Sequence, residues 1–525
     1  MKNIQVKVLC AVIIAMVFGA CESKLEDKYL NPEKTDKTSV GAFFTKMLDN
    51  KRVRSEYWVY RTVFLSHQTI YTQSASYVNG LKLYQQKQSY TDTHWNDFYT
   101  PSGAGLIAHF REIEKMFADM SEDEQQLWEV YRQAAKVALY DQTAQMVDLW
   151  GDIPFYEAGR LNATDTDITP PKFDDAATIY SDIIKGLESV SDYFENASLD
   201  PEVQSSFSKQ DILLGGDIDL WRRYTNSLLL RLLMRVSFVD ENMAKAKALE
   251  ILNNQAEYPL LGEEQNVLLH PLDTYTESLQ KALYEGSNHI ATEYMLDGLM
   301  KPASDPRIPV FYDKGVDESG TPNDDYYSMS LAIPSSEQEK IIKTRKHAIL
   351  DSATFVQNNR LPGVVMTAAE VSFLKAEAFE RWGSSADAET AFKEGLERSV
   401  SFYYYLNSTS NVEKDPIELP TDGEMDAFLT SPAVAYAGTS EEKLAKIWTQ
   451  KWLHFAFLQP NQSWAELRRT KHPELTFIED VSTPEASLPP ARFLYPSTER
   501  LYNAENYQKV AEKDLTTTKI FWDVK

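Results

Sequence analysis

The stretch from Met366 to Tyr405 constrains this chain most. It reads as two amphipathic helices joined at Gly383-Ser384-Ser385. Ala369, Phe373, Ala376 and Phe379 share one face of the first helix. Asp387, Ala388, Ala391, Phe392 and Leu396 share one face of the second. Small residues let two helices approach closely, and each aromatic ring fills the gap opposite a small one. A single pair of this kind cannot bury its own apolar face, so further helical pairs must stack on it.

Small-aromatic followed by small-aromatic-small (Ala376, Phe379, then Ala388, Phe392, Gly395) is close to a tetratricopeptide-repeat unit. Lys375 stands where such a unit usually has Leu. The same periodicity predicts helices elsewhere. One starts near Val40 with Phe43, Phe44, Met47 and Leu48. A second runs from Gln126 to Leu149, with Leu127, Val130, Tyr131, Ala134, Val137, Ala138 and Tyr140 as its apolar stripe, and breaks at Gly151-Asp152-Ile153-Pro154. Others cover Phe173 to Phe194, Asp217 to Phe238, Ala244 to Leu252 and Glu441 to Leu458. Residues 257–345 are proline-rich and predict loops with a few short helices or strands, and the C-terminal segment is irregular.

Residues 1–20 have the form of a signal segment: Lys2 and Lys7, then an apolar run from Val8 to Phe18 too short to span a bilayer. The run ends Val17-Phe18-Gly19-Ala20-Cys21, similar to a lipobox, so Cys21 is the expected lipidation site. Cys10 falls inside the signal, which leaves the processed chain no disulfide. Residues 21–38 then form a lipidated tether, and 39–525 one mostly helical domain with large loop excursions. Without Lys2 and Lys7, 51 basic side chains face 78 acidic ones, a net charge of −27. A surface so acidic repels phosphate backbones, which argues against nucleic-acid binding.

Catalytic and metal-ligating signatures are missing. The eight histidines are scattered with no pair at i, i+4, and there is no phosphate-cradling glycine loop, Gly-x-Gly-x-x-Gly or Gly-x-Ser-x-Gly. No catalytic residue, metal or cofactor is therefore expected. Asp217 and Asp219 would suit a glycosidase pair, but they stand where a helix takes its N-cap and first-turn acids. Arg231 and Arg235, one turn apart on an apolar helix, fit structural bridges to Asp or Glu better than a ligand clamp.

Two non-periodic segments are rich in aromatics. Tyr71, Tyr77, Tyr84, Tyr90, Trp95, Phe98 and Tyr99 occur beside Gln73, Asn79, Gln85, Gln86 and Asn96, and the whole 71–99 stretch reads as a long ordered loop. Phe311, Tyr312, Tyr326 and Tyr327 lie in a second, Gly/Asp/Pro-rich loop. Flat rings beside amides suit sugar rings and peptides equally. The alternative is that the rings hold the loops onto the helices. The candidate ligand residues are Tyr71, Tyr77, Asn79, Trp95, Tyr312, Tyr326 and Tyr327.

Taken in order, several stretches resemble the SusD/RagB-like nutrient-binding outer-membrane lipoproteins. They begin with Cys21, Tyr29-Leu30-Asn31-Pro32 and the run from Trp150 to Ala158. Gly215-Gly216-Asp217 with Trp221, Leu230-Arg231, Met234-Arg235, and Asp305-Pro306-Arg307 follow. Met366 through Ala378, Gln450-Lys451-Trp452, Trp464-Ala465-Glu466, Arg468-Arg469-Thr470 and Leu494-Tyr495-Pro496 complete the set. The resemblance implies an all-α fold with a core of about four tetratricopeptide-like helix pairs, decorated by long loops that carry the site. It also implies a surface lipoprotein, held to the outer membrane by lipid alone, that is not an enzyme. Such a protein would deliver oligosaccharides, or in some members peptides, to a SusC-like TonB-dependent transporter. No binding residue carries over by motif.

Overall fold

The structure, a computed structural model, describes residues 39–525 apart from 76–82, 101–104, 161–169, 272–280, 284–288 and 416. The signal segment, Cys21 and the tether lie outside the described residues, as do Tyr77 and Asn79. The scaffold helices are α1 (Leu106–Ala118), α2 (Glu122–Trp150), α3 (Ala176–Asn196), α4 (Ile218–Val236) and α5 (Glu241–Asn253). They continue with α6 (Ala368–Trp382), α7 (Ser385–Ser408), α8 (Ser440–Phe455) and α9 (Pro460–Thr470). Four successive pairs, α1–α2, α4–α5, α6–α7 and α8–α9, turn back on themselves through connections of two to four residues. Helix α3 packs on α2 and α4, α6 touches α4, α5 and α8, and α9 returns to α2. The all-α, paired-helix architecture is the one expected.

The α6–α7 pair shows why the small residues matter. A Cβ on Gly395 would lie 2.7 Å from the Phe373 ring, so only glycine permits this approach. Lys375, at the position where a repeat usually has Leu, is half-buried and pairs with Glu394 across the pair at 3.6 Å. The helix starts are capped as their sequences suggest. Ser121 and Glu124 form a capping box at α2, and Thr439 and Glu442 form another at α8. The Asp217 carboxylate accepts the Asp219 and Leu220 amides at 2.9 and 3.1 Å, while Asp219 pairs with Arg223 at 2.6 Å. This tempting carboxylate pair is a cap and its first-turn partner.

Charged motif residues meet inside the scaffold. Arg231 forks onto Glu370 at 2.5 and 2.7 Å and reaches Asp141 at 3.1 Å. Arg235 holds Glu466 at 2.6 Å and Gln462 at 2.7 Å. Arg469 bridges Glu377 and Glu466, each at 2.7 Å, and Lys451 joins both carboxylates. Burial alone would push the Glu377 carboxyl up, yet Arg469 and Lys451 outweigh it and hold the group at about 2. Arg307 likewise forks onto Asp305 at 2.9 and 2.5 Å. Two distant motifs also join: Trp150 Nε1 donates to the Leu494 carbonyl at 3.2 Å and the Tyr495 hydroxyl to the Asp152 carbonyl at 2.7 Å. Gly151 sits between them at φ 77°, a conformation that favours glycine.

Two expectations are corrected. The 71–99 stretch is not one loop, because Gln88–Tyr99 is a helix and Tyr71 ends a short turn that continues a π-helix, Val59–Gln68. Leu127, placed on the apolar stripe of α2, is 43% exposed, while Val130 and Tyr131 in the next turn are buried, so the buried stripe starts after it.

Candidate functional site

Both aromatic segments leave the scaffold from one strip of backbone, Ile290–Glu293. The Ile290 amide donates to the Ala75 carbonyl at 2.8 Å and the Thr292 hydroxyl to the Gln73 carbonyl at 2.7 Å. These bonds fix the start of the segment that contains Tyr77 and Asn79. On the other edge, the Met329 amide donates to Ala291 at 3.0 Å and the Glu293 amide to Met329 at 2.9 Å. Ala291 donates to Ala348 at 2.9 Å, whose own amide donates to the Tyr327 carbonyl at 2.6 Å. Beneath lies a small apolar cluster of Ile290, Met329 and Leu331, separate from the main core. The first segment is pinned again from the C-terminal region: the Asp480 carboxylate accepts the Leu83 amide at 2.9 Å, and Gln73 Nε2 donates to the Thr476 carbonyl at 2.7 Å. Gln73 adopts φ 50°, rare for a residue with a side chain, so this turn is held by its surroundings.

Tyr327 presents its ring to solvent at 45% exposure, oriented by a hydroxyl bond to Asp324 Oδ1 at 3.0 Å. Tyr326 is half-buried, with Lys314 Nζ 5.4 Å from its ring centre. Lys301 ties the loop down: it donates to the Tyr326 carbonyl at 2.5 Å and pairs with Asp325 at 2.9 Å and Asp297 at 3.1 Å. Its hydrogen bond draws the Asp325 carboxyl below the usual range. The Ser328 hydroxyl donates to Asp297 at 2.5 Å. One exposed ring, whose face can stack on a sugar's C–H face, thus lies beside carboxylates with lone pairs left to accept from sugar hydroxyls. Asp297 and Lys301 stand in no recognisable motif; their i, i+4 spacing is the one signal of the pair in the sequence.

Three candidates are corrected. Tyr71, Trp95 and Tyr312 are each 1% exposed. Tyr71 packs on Trp464 with ring centres 5.3 Å apart and donates to the Tyr84 carbonyl at 3.3 Å. Trp95 sits among Trp150, Tyr495 and Phe173, with centres 5.3, 5.8 and 6.5 Å away. Tyr312 lies in a two-residue strand paired with Ile349–Leu350, and burial pushes its hydroxyl pKa up. All three stabilise the body of the protein and offer no ring face to a ligand.

Comparison with known proteins agrees with this architecture. The SusD-like family described as starch-binding and associating with the outer membrane matches residues 32–496. Among solved structures, a chitin-binding protein is 20% identical with a TM-score of 0.75, covering 93% of this chain and 100% of its own. A chitin-binding SusD homologue from Flavobacterium johnsoniae is 18% identical with a TM-score of 0.70, covering 92% and 98%. A SusD homologue from Bacteroides fragilis is 20% identical with a TM-score of 0.69, covering 93% and 100%. No curated protein matches the chain. Among the described residues, no helix is long and apolar enough to cross a membrane. With a match over most of its length and the paired-helix fold in place, the chain belongs to the SusD-like family of outer-membrane-associated nutrient-binding proteins.

Proposed function

We propose that this protein is a cell-surface lipoprotein, anchored through Cys21, that binds oligosaccharides without turning them over and passes them to a SusC-like TonB-dependent transporter. The ligand lies against Tyr326 and Tyr327; Tyr77 and Asn79, outside the described residues, are kept as further candidate contacts from the sequence. The observation that carries this reading is the Ile290–Glu293 strip, to which both aromatic segments are hydrogen-bonded. Loops on a rigid scaffold are the usual carriers of binding function. The chitin-binding neighbours add support for a saccharide. Contact through an exposed ring and a few polar groups gives modest affinity, which suits release to a partner.

The test is isothermal titration of the chain from Glu22 onward against oligosaccharides and oligopeptides. An oligosaccharide is expected to bind, and Tyr327→Ala to weaken it at least about tenfold, ~1.4 kcal/mol. Binding of peptides alone would replace the glycan reading with a peptide one, and no binding across the panel would overturn both.

A further inference from the structure

A groove of about 400 Å³ shares no residue with the Tyr326–Tyr327 loop. One wall is the loop and strand from Glu263 to Leu268; the other is the face of α7 that carries Glu397, Arg398, Ser401, Phe402 and Tyr405. These α7 positions recur at three- and four-residue steps, which places them on one side of the helix. The volume falls within the roughly 300–1,000 Å³ of small-molecule sites. Its floor is apolar, because Leu268 and Phe402 are 7% and 4% exposed, and Tyr405 stands at the rim with 39% of its surface open. Glu263 is held at φ 49°, so the loop keeps a turn that residues with side chains rarely adopt.

The polar lining is unbalanced. Arg398 is already engaged, with Ser372 Oγ at 2.5 Å and Glu394 at 3.2 Å. Glu263, Glu264 and Glu397 are exposed carboxylates around the same opening. Asn266 and His270 also line it: the Asn266 side chain accepts from the Ala368 amide and donates to the Glu264 carbonyl, and burial lowers the His270 pKa, which favours its neutral ring. The groove therefore offers an open aromatic face, an apolar floor and hydrogen-bond acceptors in excess of donors. A polyhydroxyl ring supplies the missing donors and stacks its C–H face on Tyr405. An anionic sugar would meet three carboxylates whose charge Arg398, committed to Glu394, does not answer.

We propose that this groove is a second saccharide site, which takes a one- or two-ring sugar that is neutral or carries an ammonium group and rejects uronates. The proposal rests on the reading of the chain as a glycan binder. It is tested by titrating the chain from Glu22 onward with neutral, amine-bearing and uronate oligosaccharides, in the wild type and in Tyr327→Ala, Tyr405→Ala and Ser401→Trp. Tyr405 and Ser401 are exposed, so their variants are expected to fold. Two classes of site are expected. Tyr405→Ala and Ser401→Trp each weaken the second at least about tenfold and leave the first in place, whereas Tyr327→Ala does the reverse. Amine-bearing sugars bind the second class most tightly at low salt. A single class that is lost in Tyr327→Ala and indifferent to the groove variants would overturn this proposal alone. Equal binding of uronates in the groove would also overturn it. Silence with every sugar would overturn the glycan reading and this proposal with it.

Discussion

The α6–α7 pair and the Ile290–Glu293 strip are built by opposite means. The pair is held by side chains: Phe373 against Gly395, Lys375 against Glu394, and beside it the Glu377–Arg469–Glu466–Lys451 charge network. The strip is held mainly by backbone hydrogen bonds between short segments far apart in sequence, over an apolar cluster of only three buried residues. Side-chain packing fixes one geometry, because any change of volume or charge is felt at once. Backbone tethers fix where loops begin and leave their outward side chains unconstrained by packing. The scaffold should therefore tolerate little substitution, while the loop surface should change its ligand contacts at almost no loss of stability.

The largest break expected from this contrast is in the charge network. Glu377→Ala leaves Arg469 and Lys451 buried with less compensation and is expected to destabilise by ~3–5 kcal/mol in chemical denaturation. Gly395→Val forces atoms into the Phe373 ring and is expected to destabilise by ~1–3 kcal/mol, read the same way. Acid should act on the scaffold as well. His67 Nε2 accepts the Lys87 amide at 2.9 Å while Nδ1 faces the Thr62 carbonyl at 2.8 Å, an arrangement that needs a neutral ring. Burial lowers its pKa to about 4, and burial with nearby Arg307 lowers that of His454 to about 3. The unfolded chain, with an ordinary pKa near ~6.5, takes up a proton that the folded ring refuses. The stability these rings contribute is therefore complete above that value and falls as the pH drops toward the folded values, by at most ~1.4 kcal/mol per unit for each ring. Thermal melts at pH 7 and pH 5 should show the lower Tm at pH 5. The smallest stability effect is expected for Tyr327→Ala, within ~0.5 kcal/mol of wild type. In cells, Cys21→Ala should move the protein out of the membrane fraction, as a lipid anchor requires.

The same contrast explains what could be read from the sequence. Ala369, Phe373, Ala376 and Phe392 advertise their helices, because the buried face is the apolar face. The helix Gln88–Tyr99 hides: its buried positions are Thr91, His94, Trp95 and Phe98, at helical spacing but half polar, so hydrophobicity shows no clean period. That is why Trp95, next to amides and without a visible stripe, reads as a loop residue with a face to offer. Tyr71 and Tyr312 mislead in the same way, since composition does not tell a ring that binds from one that seals a loop. Tyr326 and Tyr327 lie in a segment full of Gly, Asp and Pro, where no helix competes; Tyr327 reaches the surface, while Tyr326 is half-buried against the core. The Ile290–Glu293 strip carries no signal in the sequence, because backbone tethers between segments far apart in the chain leave no pattern in side-chain order.

The most direct test pairs affinity with melting temperature for Tyr327→Ala and Trp95→Ala, against the best oligosaccharide from the titration panel. The expected result is a crossed one. Tyr327→Ala weakens binding at least about tenfold at unchanged Tm. Trp95→Ala lowers Tm, by an amount corresponding to ~3–5 kcal/mol of lost packing, and leaves the affinity of the folded protein unchanged. Loss of affinity in Trp95→Ala together with full affinity in Tyr327→Ala would place the ligand elsewhere and contradict the account.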